Sequence, residues 1–235
     1  MKLAVFSDIH ANLTAFRACT AFADHLGADG YVLLGDYVSD CPDPHATLEH
    51  LRAISAKKPC YTVYGNREQY LFDHESNPDG DGWCVSSQTG SLLYTYRHLT
   101  TDDFRLLHEM PRKKRIEIPG CAPILACHGA PDSINQLIYP GTRDADKLLK
   151  NLDEAALLLG HSHIQYRYEA FGKQLVNPGS LGMPMSQGLT KAQFAMLTDQ
   201  DGRWQARMLN VPYDSREELA RFDKSSLDQM GLMWT

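Results

Sequence analysis

Six short apolar runs recur along the chain, and each stops at polar residues or glycine. Leu3 to Phe6 leads into Ser7-Asp8-Ile9-His10, Tyr31 to Leu34 into Gly35-Asp36, and Tyr61 to Tyr64 into Gly65-Asn66-Arg67-Glu68. Pro123 to Cys127 leads into His128-Gly129, Ala156 to Leu159 into Gly160-His161-Ser162-His163, and Gln174 to Asn177 into Pro178-Gly179-Ser180. Continuous runs of this length, with β-branched or aromatic content, predict strands buried on both faces. Helical spacing of Leu13, Phe16, Phe22 and Leu26 predicts a helix over 13–26, with Asn12 as its N-cap. A second helix is expected over 44–55, with Pro44 in its first turn. Strands alternating with helices imply an α/β chain whose sheet begins parallel.

Residues 68–111 break this rhythm. A turn-rich loop, Asn77-Pro78-Asp79-Gly80-Asp81-Gly82, precedes expected helices over 85–98 and 102–110. This helical insertion is expected either to cover part of a site or to pack against a sheet edge. After residue 163 the pattern turns to β, with short strands at 165–171, 173–177, 191–198 and 203–211. A last helix near 214–222 leads into an apolar tail, Leu227 to Trp234, expected to pack on its own domain or to join subunits of a homo-oligomer. No repeat or linker divides the chain, so residues 1–235 are expected to form one domain.

Composition narrows the classes. The chain has 235 residues, 43% hydrophobic and 22% charged, which excludes disordered and collagen-like classes. No 18-residue apolar stretch predicts a membrane span, and the apolar start is too short for a signal peptide. The formal net charge of −6 argues against nucleic acid as a partner. The basic run Arg112 to Arg115 is read instead as the charged margin of an edge strand, with Ile116-Glu117-Ile118 alternating behind it. Six cysteines without a C-x-x-C pair read as reduced thiols in a cytoplasmic protein.

The chemistry gathers at the strand ends, where open α/β sheets bind ligands. Asp8, His10, Asp36, Asn66, His128, His161 and His163 all follow apolar runs. Three oxygen donors and four imidazoles suit Mn, Fe, Zn, Ni or Co better than Mg. Seven donors exceed one tetrahedral site and fit two cations sharing a carboxylate, about 3.5–4 Å apart. Two divalent cations, two aspartates and a hydroxide leave a residual charge of about +1 to attract a phosphoryl group. The other histidines, His25, His45, His50, His74, His98 and His108, read as surface or packing residues.

These ordered motifs resemble the calcineurin-like metallophosphoesterase superfamily. The matching segments are Ser7 to Asn12, Gly35-Asp36, Gly65 to Glu68, Cys127-His128-Gly129 and Gly160 to His163. Asn177-Pro178-Gly179-Ser180 looks like the small bacterial phosphodiesterase branch, which includes diadenosine-tetraphosphatase-like proteins. The resemblance, over roughly residues 1–198, implies a four-layer αββα sandwich of two mixed sheets flanked by helices. It further implies that Asp8, His10 and His163 hold one metal, that Asn66, His128 and His161 hold the second, and that Asp36 bridges them. Two divalent cations, manganese foremost, would then hydrolyse phosphodiester or phosphoanhydride bonds by in-line attack of a bridging hydroxide. The implied partner is a small phosphoester, nucleotide-derived in that branch. A phosphomonoesterase of the protein-phosphatase kind and a non-catalytic metal-binding scaffold are the alternatives.

The chain departs from the family at Arg67, where a histidine usually follows Gly-Asn. Arginine does not release a proton near neutrality, yet its planar fork holds phosphate oxygens. Arg67 is therefore expected to bind substrate while leaving the departing group unprotonated, favouring aryl esters and phosphoanhydrides. The plain alternative is a surface pair with Glu68 or Asp73. Asn177 to Ser180 is expected either to line the pocket rim or to close the second sheet, and residues 183–188 are candidates to touch a base or ring.

Overall fold

The computed structural model describes residues 1–80, 82–185 and 191–232. Two five-stranded sheets face each other. The first holds β1 (Lys2–Phe6), β2 (Gly30–Leu33) and β3 (Cys60–Thr62) in parallel, with β9 (Lys191–Gln200) antiparallel beside β1 and β10 (Arg203–Pro212) outside it. The second holds β5 (Ile124–Cys127), β6 (Ala156–Leu158) and β8 (Lys173–Pro178) in parallel, edged by antiparallel β4 (Lys113–Ile116) and β7 (Gln165–Ala170).

Strand periodicity explains the layering. Side chains alternate across a strand, so a continuously apolar strand needs cover on both sides. In β1, Leu3 and Val5 face the second sheet and meet Ile124, Leu158 and Val176. Ala4 and Phe6 face the other way, among Phe16, Leu48 and Leu51. These come from α1 (Leu13–His25) and α2 (Pro44–Ser55). In β6, Ala156 and Leu158 join the inter-sheet core, while Leu157 meets Ala145 and Leu149 of α6 (Arg143–Asn151). The order helix, sheet, sheet, helix follows, as the family resemblance implies.

Several boundaries differ from expectation. The helix expected over 85–98 begins only at Gly90, as α4 (Gly90–His98). The Ser86 hydroxyl accepts from the Thr89 backbone N–H at 3.2 Å, a local turn that competes with helix. The basic run is itself β4 rather than a margin before it. It lies at the sheet edge, with Arg115 paired to Glu154 at 2.9 Å. The apolar tail carries a further helix, α8 (Lys224–Met230), after α7 (Ser215–Arg221). Met230 is fully buried and α8 packs on α4, so this part of the tail packs on its own chain; Met233 and Trp234 lie outside the described residues. Helix α6 was not expected. Its start is set by Thr142, whose hydroxyl accepts from Ala145 N–H at 3.3 Å.

The insertion packs beside the first sheet. Leu71 of α3 (Asn66–Ser76) and Leu107 of α5 (Thr101–His108) enter the core beside α2. From α4, Ser91 donates to Asp40 at 3.2 Å and the Tyr94 hydroxyl to Pro42 O at 3.2 Å. Among the described residues no helix is long and apolar enough to cross a membrane.

Candidate metal centre

All seven strand-end donors converge at one end of the sandwich. Asp8 and His10 follow β1, Asp36 follows β2, Asn66 opens α3, His128 follows β5, and His161 and His163 follow β6. The chain turns sharply after each strand to aim them. Asp8, His10, Asp36, His161 and His163 all have positive φ, between 52° and 63°. Left-handed backbone is uncommon outside glycine and persists where surrounding structure over-determines it. That support is visible. Asp8 N–H donates to Gly35 O at 3.1 Å and His10 N–H to Asp36 O at 2.9 Å, lacing the two loops together. At Gly160 an added Cβ would collide with the Ser7 hydroxyl, so only glycine lets the His161 loop approach Asp8. There His161 N–H donates to Asp8 Oδ2 at 3.1 Å.

The donors form two clusters, Asp8 with His10 and His163, and Asp36 with His128 and His161; within each, donor atoms lie within 4.8 Å of one another. The clusters are contiguous. Asp36 Oδ2 lies 3.9 Å from His10 Nε2 and 3.5 Å from His128 Nε2. Asn66 Oδ1 lies 2.9 Å from His128 Nε2.

Backbone acceptors orient the imidazoles. His128 Nδ1 donates to Leu34 O at 2.7 Å and His163 Nδ1 to Met183 O at 2.8 Å. Each Nδ1 therefore carries its proton, leaving an Nε2 lone pair to face inward. Acceptors then face acceptors. His10 Nε2 stands 3.1 Å from His163 Nε2, and His128 Nε2 stands against the Asn66 oxygen. Asp8 Oδ1 is buried with no hydrogen-bond donor. Such an array is tolerable only around positive charge.

The titration behaviour says the same. Burial pushes the Asp8 and Asp36 carboxyls up, but the neighbouring histidines outweigh it and hold both below the usual range. Burial lowers His128, yet Asp36 and Asp8 overcome this and hold it at about 9. Burial and the charge of His128 lower His161. Among the described residues, every ion-pair partner of Asp8 and Asp36 is a histidine. The donor set thus fits divalent cations of the kind imidazole and carboxylate share.

Arg67 pairs with neither Glu68 nor Asp73. Its Nη2 lies 3.2 Å from Asp40 Oδ2. Glu68 is fully buried and accepts from the backbone N–H groups of Asp36, Tyr37 and Gly65, each at 2.8 Å. It clasps the Asp36 loop to the Asn66 loop; burial and the Asp36 charge push it up to about 7. Asp40 is the polar residue that sequence reasoning missed. Its Oδ2 also lies 2.8 Å from His10 Nδ1, off the ring's N–H axis, and accepts from Ser39 Oγ at 2.8 Å. Asn177 to Ser180 lies beneath the site rather than at its rim. Asn177 donates to Gly160 O at 2.8 Å, and Ser180 Oγ to Asp8 O at 2.8 Å. Residues 186–188 of the expected ring-contacting segment lie outside the described residues. The other histidines stand elsewhere: His45 meets Asp103 at 2.7 Å, His108 meets Glu75 at 2.9 Å, and His50 meets Thr20 at 3.0 Å.

The family model for the calcineurin-like phosphoesterase superfamily domain matches residues 1–202. The chain belongs to that superfamily. An uncharacterized protein of Methanocaldococcus jannaschii is 24% identical over 97% of this chain and 94% of its own length. A hypothetical protein of Pyrococcus horikoshii shares the fold with a TM-score of 0.79 at 19% identity, covering 97% of each chain. A metallophosphoesterase of Sphaerobacter thermophilus superposes with a TM-score of 0.73 at 21% identity, covering 98% of each chain. Superfamily membership supports a phosphoester hydrolase in general, and the clustered donors are candidate ligands for the divalent metals that the superfamily generally uses.

Proposed function

We propose that this member of the superfamily is a phosphodiesterase or phosphoanhydride hydrolase working with two divalent cations, manganese foremost. The observation that carries the reading is the pair of facing acceptor sets, His10 against His163 and His128 against Asn66, beside two buried aspartates. In this reading Asp8, His10 and His163 hold one cation and Asn66, His128 and His161 the other. The contacts of Asp36 Oδ2 with both clusters favour a shared role for it. When bound, the cations would supply Lewis acidity and a nucleophile from water at neutral pH.

The remaining work falls to the chain. Arg67 is 28% exposed and stands beside the cluster, free to hold a phosphate oxygen with the donors that Asp40 does not occupy. Its backbone N–H donates to Asp36 Oδ1 at 2.9 Å, which fixes that carboxylate's other oxygen inward. Arg67 keeps its charge and gives no proton to a departing alkoxide, so substrates with stable leaving groups suit the site. The same reading keeps the cytoplasmic setting expected for six free thiols and a nucleotide-derived substrate.

The test loads the protein with Mn²⁺, Ni²⁺ or Zn²⁺ and measures metal content beside hydrolysis of aryl phosphodiesters and monoesters. Two cations per chain with diester turnover are expected. Faster turnover of monoesters supports the phosphatase alternative, and two cations without turnover support the scaffold.

A further inference from the structure

The Asp40–Arg67 pair has a consequence for substrate charge. Among the described residues the Asp40 carboxylate lies 2.8 Å from His10 Nδ1, 2.8 Å from Ser39 Oγ, 3.2 Å from Arg67 Nη2 and, from α4, 3.2 Å from Ser91 Oγ. The side chains of Asp40 and Arg67 are only 20% and 28% exposed, so solvent screens the pair less than a surface one. Arg67 alone would add one positive charge at the rim of the cation cluster. Asp40 removes it while holding the guanidinium in place.

Resting on the reading proposed above, we infer that Asp40 sets substrate class: it pairs Arg67 into a net-neutral, directional hydrogen-bond fork that accepts monoanionic phosphodiesters and disfavours dianionic monoesters. A diester carries one negative charge, and a monoester above pH about 6 approaches two. The extra charge of the dianion gains nothing from a guanidinium whose charge Asp40 already balances. Hydrogen bonding from the free guanidinium N–H groups is available to both. Asp40 acts through Arg67 and is a positioning residue.

Asp40→Asn suits the backbone, since Asp40 has φ 69° and asparagine adopts that left-handed region readily. The experiment compares metal-loaded wild type, Asp40→Asn, Arg67→Gln and the double variant at pH 8. Aryl phosphodiester and monoester kinetics are measured beside inorganic phosphate affinity by calorimetry, with metal content checked in each. Asp40→Asn is expected to lower KM for the monoester and Kd for phosphate roughly ten-fold, the scale of one charge-assisted hydrogen bond, with a much smaller change in diester KM. The selectivity shift is expected to vanish in the Arg67→Gln background. Equal changes for both esters, a shift that persists without Arg67, or loss of a cation from Asp40→Asn would each overturn the inference. If the fully loaded wild type turns over neither ester, the proposed function fails, and the phosphate affinities, which need no turnover, still decide the role of Asp40.

Discussion

Arg67 and Asp103 show how differently two charged side chains can serve one fold. At position 67 the consequence is chemical. Replacing arginine by histidine restores a titratable donor without moving the helix that begins at Asn66. Arg67→His is expected to raise kcat on an alkyl phosphoester at least ten-fold, short of the roughly 10²–10⁴-fold of a fully positioned general acid, while kcat on an aryl ester changes little. Equal wild-type rates on both esters, with no gain in the variant, would remove the argument. At Asp103 the consequence is stability. Its side chain is fully buried and lies 2.8 Å from Arg52 Nη2 and 2.7 Å from His45 Nδ1, while accepting from Thr100 N–H at 2.8 Å. Burial raises this carboxyl, but the Thr100, His45 and Arg52 contacts outweigh it and hold it below the usual range. The folded state therefore prefers the charged form. Its contribution is complete above the unfolded pKa of about 4 and is lost as pH falls through the lower folded value. Asp103→Ala is expected to cost about 1–3 kcal/mol in denaturant melts at pH 7, with a smaller difference from wild type at pH 3.

At the scale of elements, α8 is the piece whose role the chain's end disguises. Met230 is fully buried, and the backbone of Met230 presses so closely on Gly90 that a Cβ there would collide with it. Truncation after Ser226 is expected to lower the melting temperature by roughly 4–8 °C, from about 2 kcal/mol of lost burial, with no change in mass by light scattering. A halved mass would assign the tail to a subunit interface instead. The same scale shows what a sequence discloses. Strands β1, β2 and β6 were legible because they are apolar on both faces, and the donors were legible because each follows such a strand. Helix α6 escaped because its buried stripe is thin, Ala145 and Leu149, although Thr142 marks its start. Asp40 escaped for another reason. Its meaning depends on a left-handed turn at Ser39 and Asp40 and on Ser91, a residue 51 positions away, and no local spacing encodes that meeting. Glu68 was read only as a motif member and a surface partner for Arg67, because its role as a clasp between two loops depends on backbone N–H groups of Asp36 and Tyr37, 32 and 31 positions away.

For the whole molecule, the central question is what relieves the crowding of acceptors at the strand ends. In the absence of cations, protons hold that place, as the raised His128 illustrates. Bound cations should therefore stabilise the fold as well as equip it. A ligand that binds only the native state at a hundred times its Kd contributes about 2.7 kcal/mol. Treatment with a chelator is expected to lower the melting temperature, and added Mn²⁺ to restore it. His10→Ala is expected to blunt that rise. A melting temperature indifferent to both chelator and Mn²⁺ would count against a metal centre at this end of the sandwich.

The passage from β8 into the next sheet carries a consequence for how the protein is made. Ser180 bonds the carbonyl of Asp8, Leu181 N–H bonds that of Ser7 at 2.9 Å, and Gly182 N–H again reaches Asp8 at 2.9 Å. The loop carrying the earliest donors is thus braced from beneath by residues some 170 positions later. A growing polypeptide emerging from the ribosome owns all seven donors once His163 has appeared, yet lacks the brace that sets the first of them. A fragment ending at His163 would thus carry every donor without the support that shapes the first loop, so the centre depends on chain well beyond its last ligand.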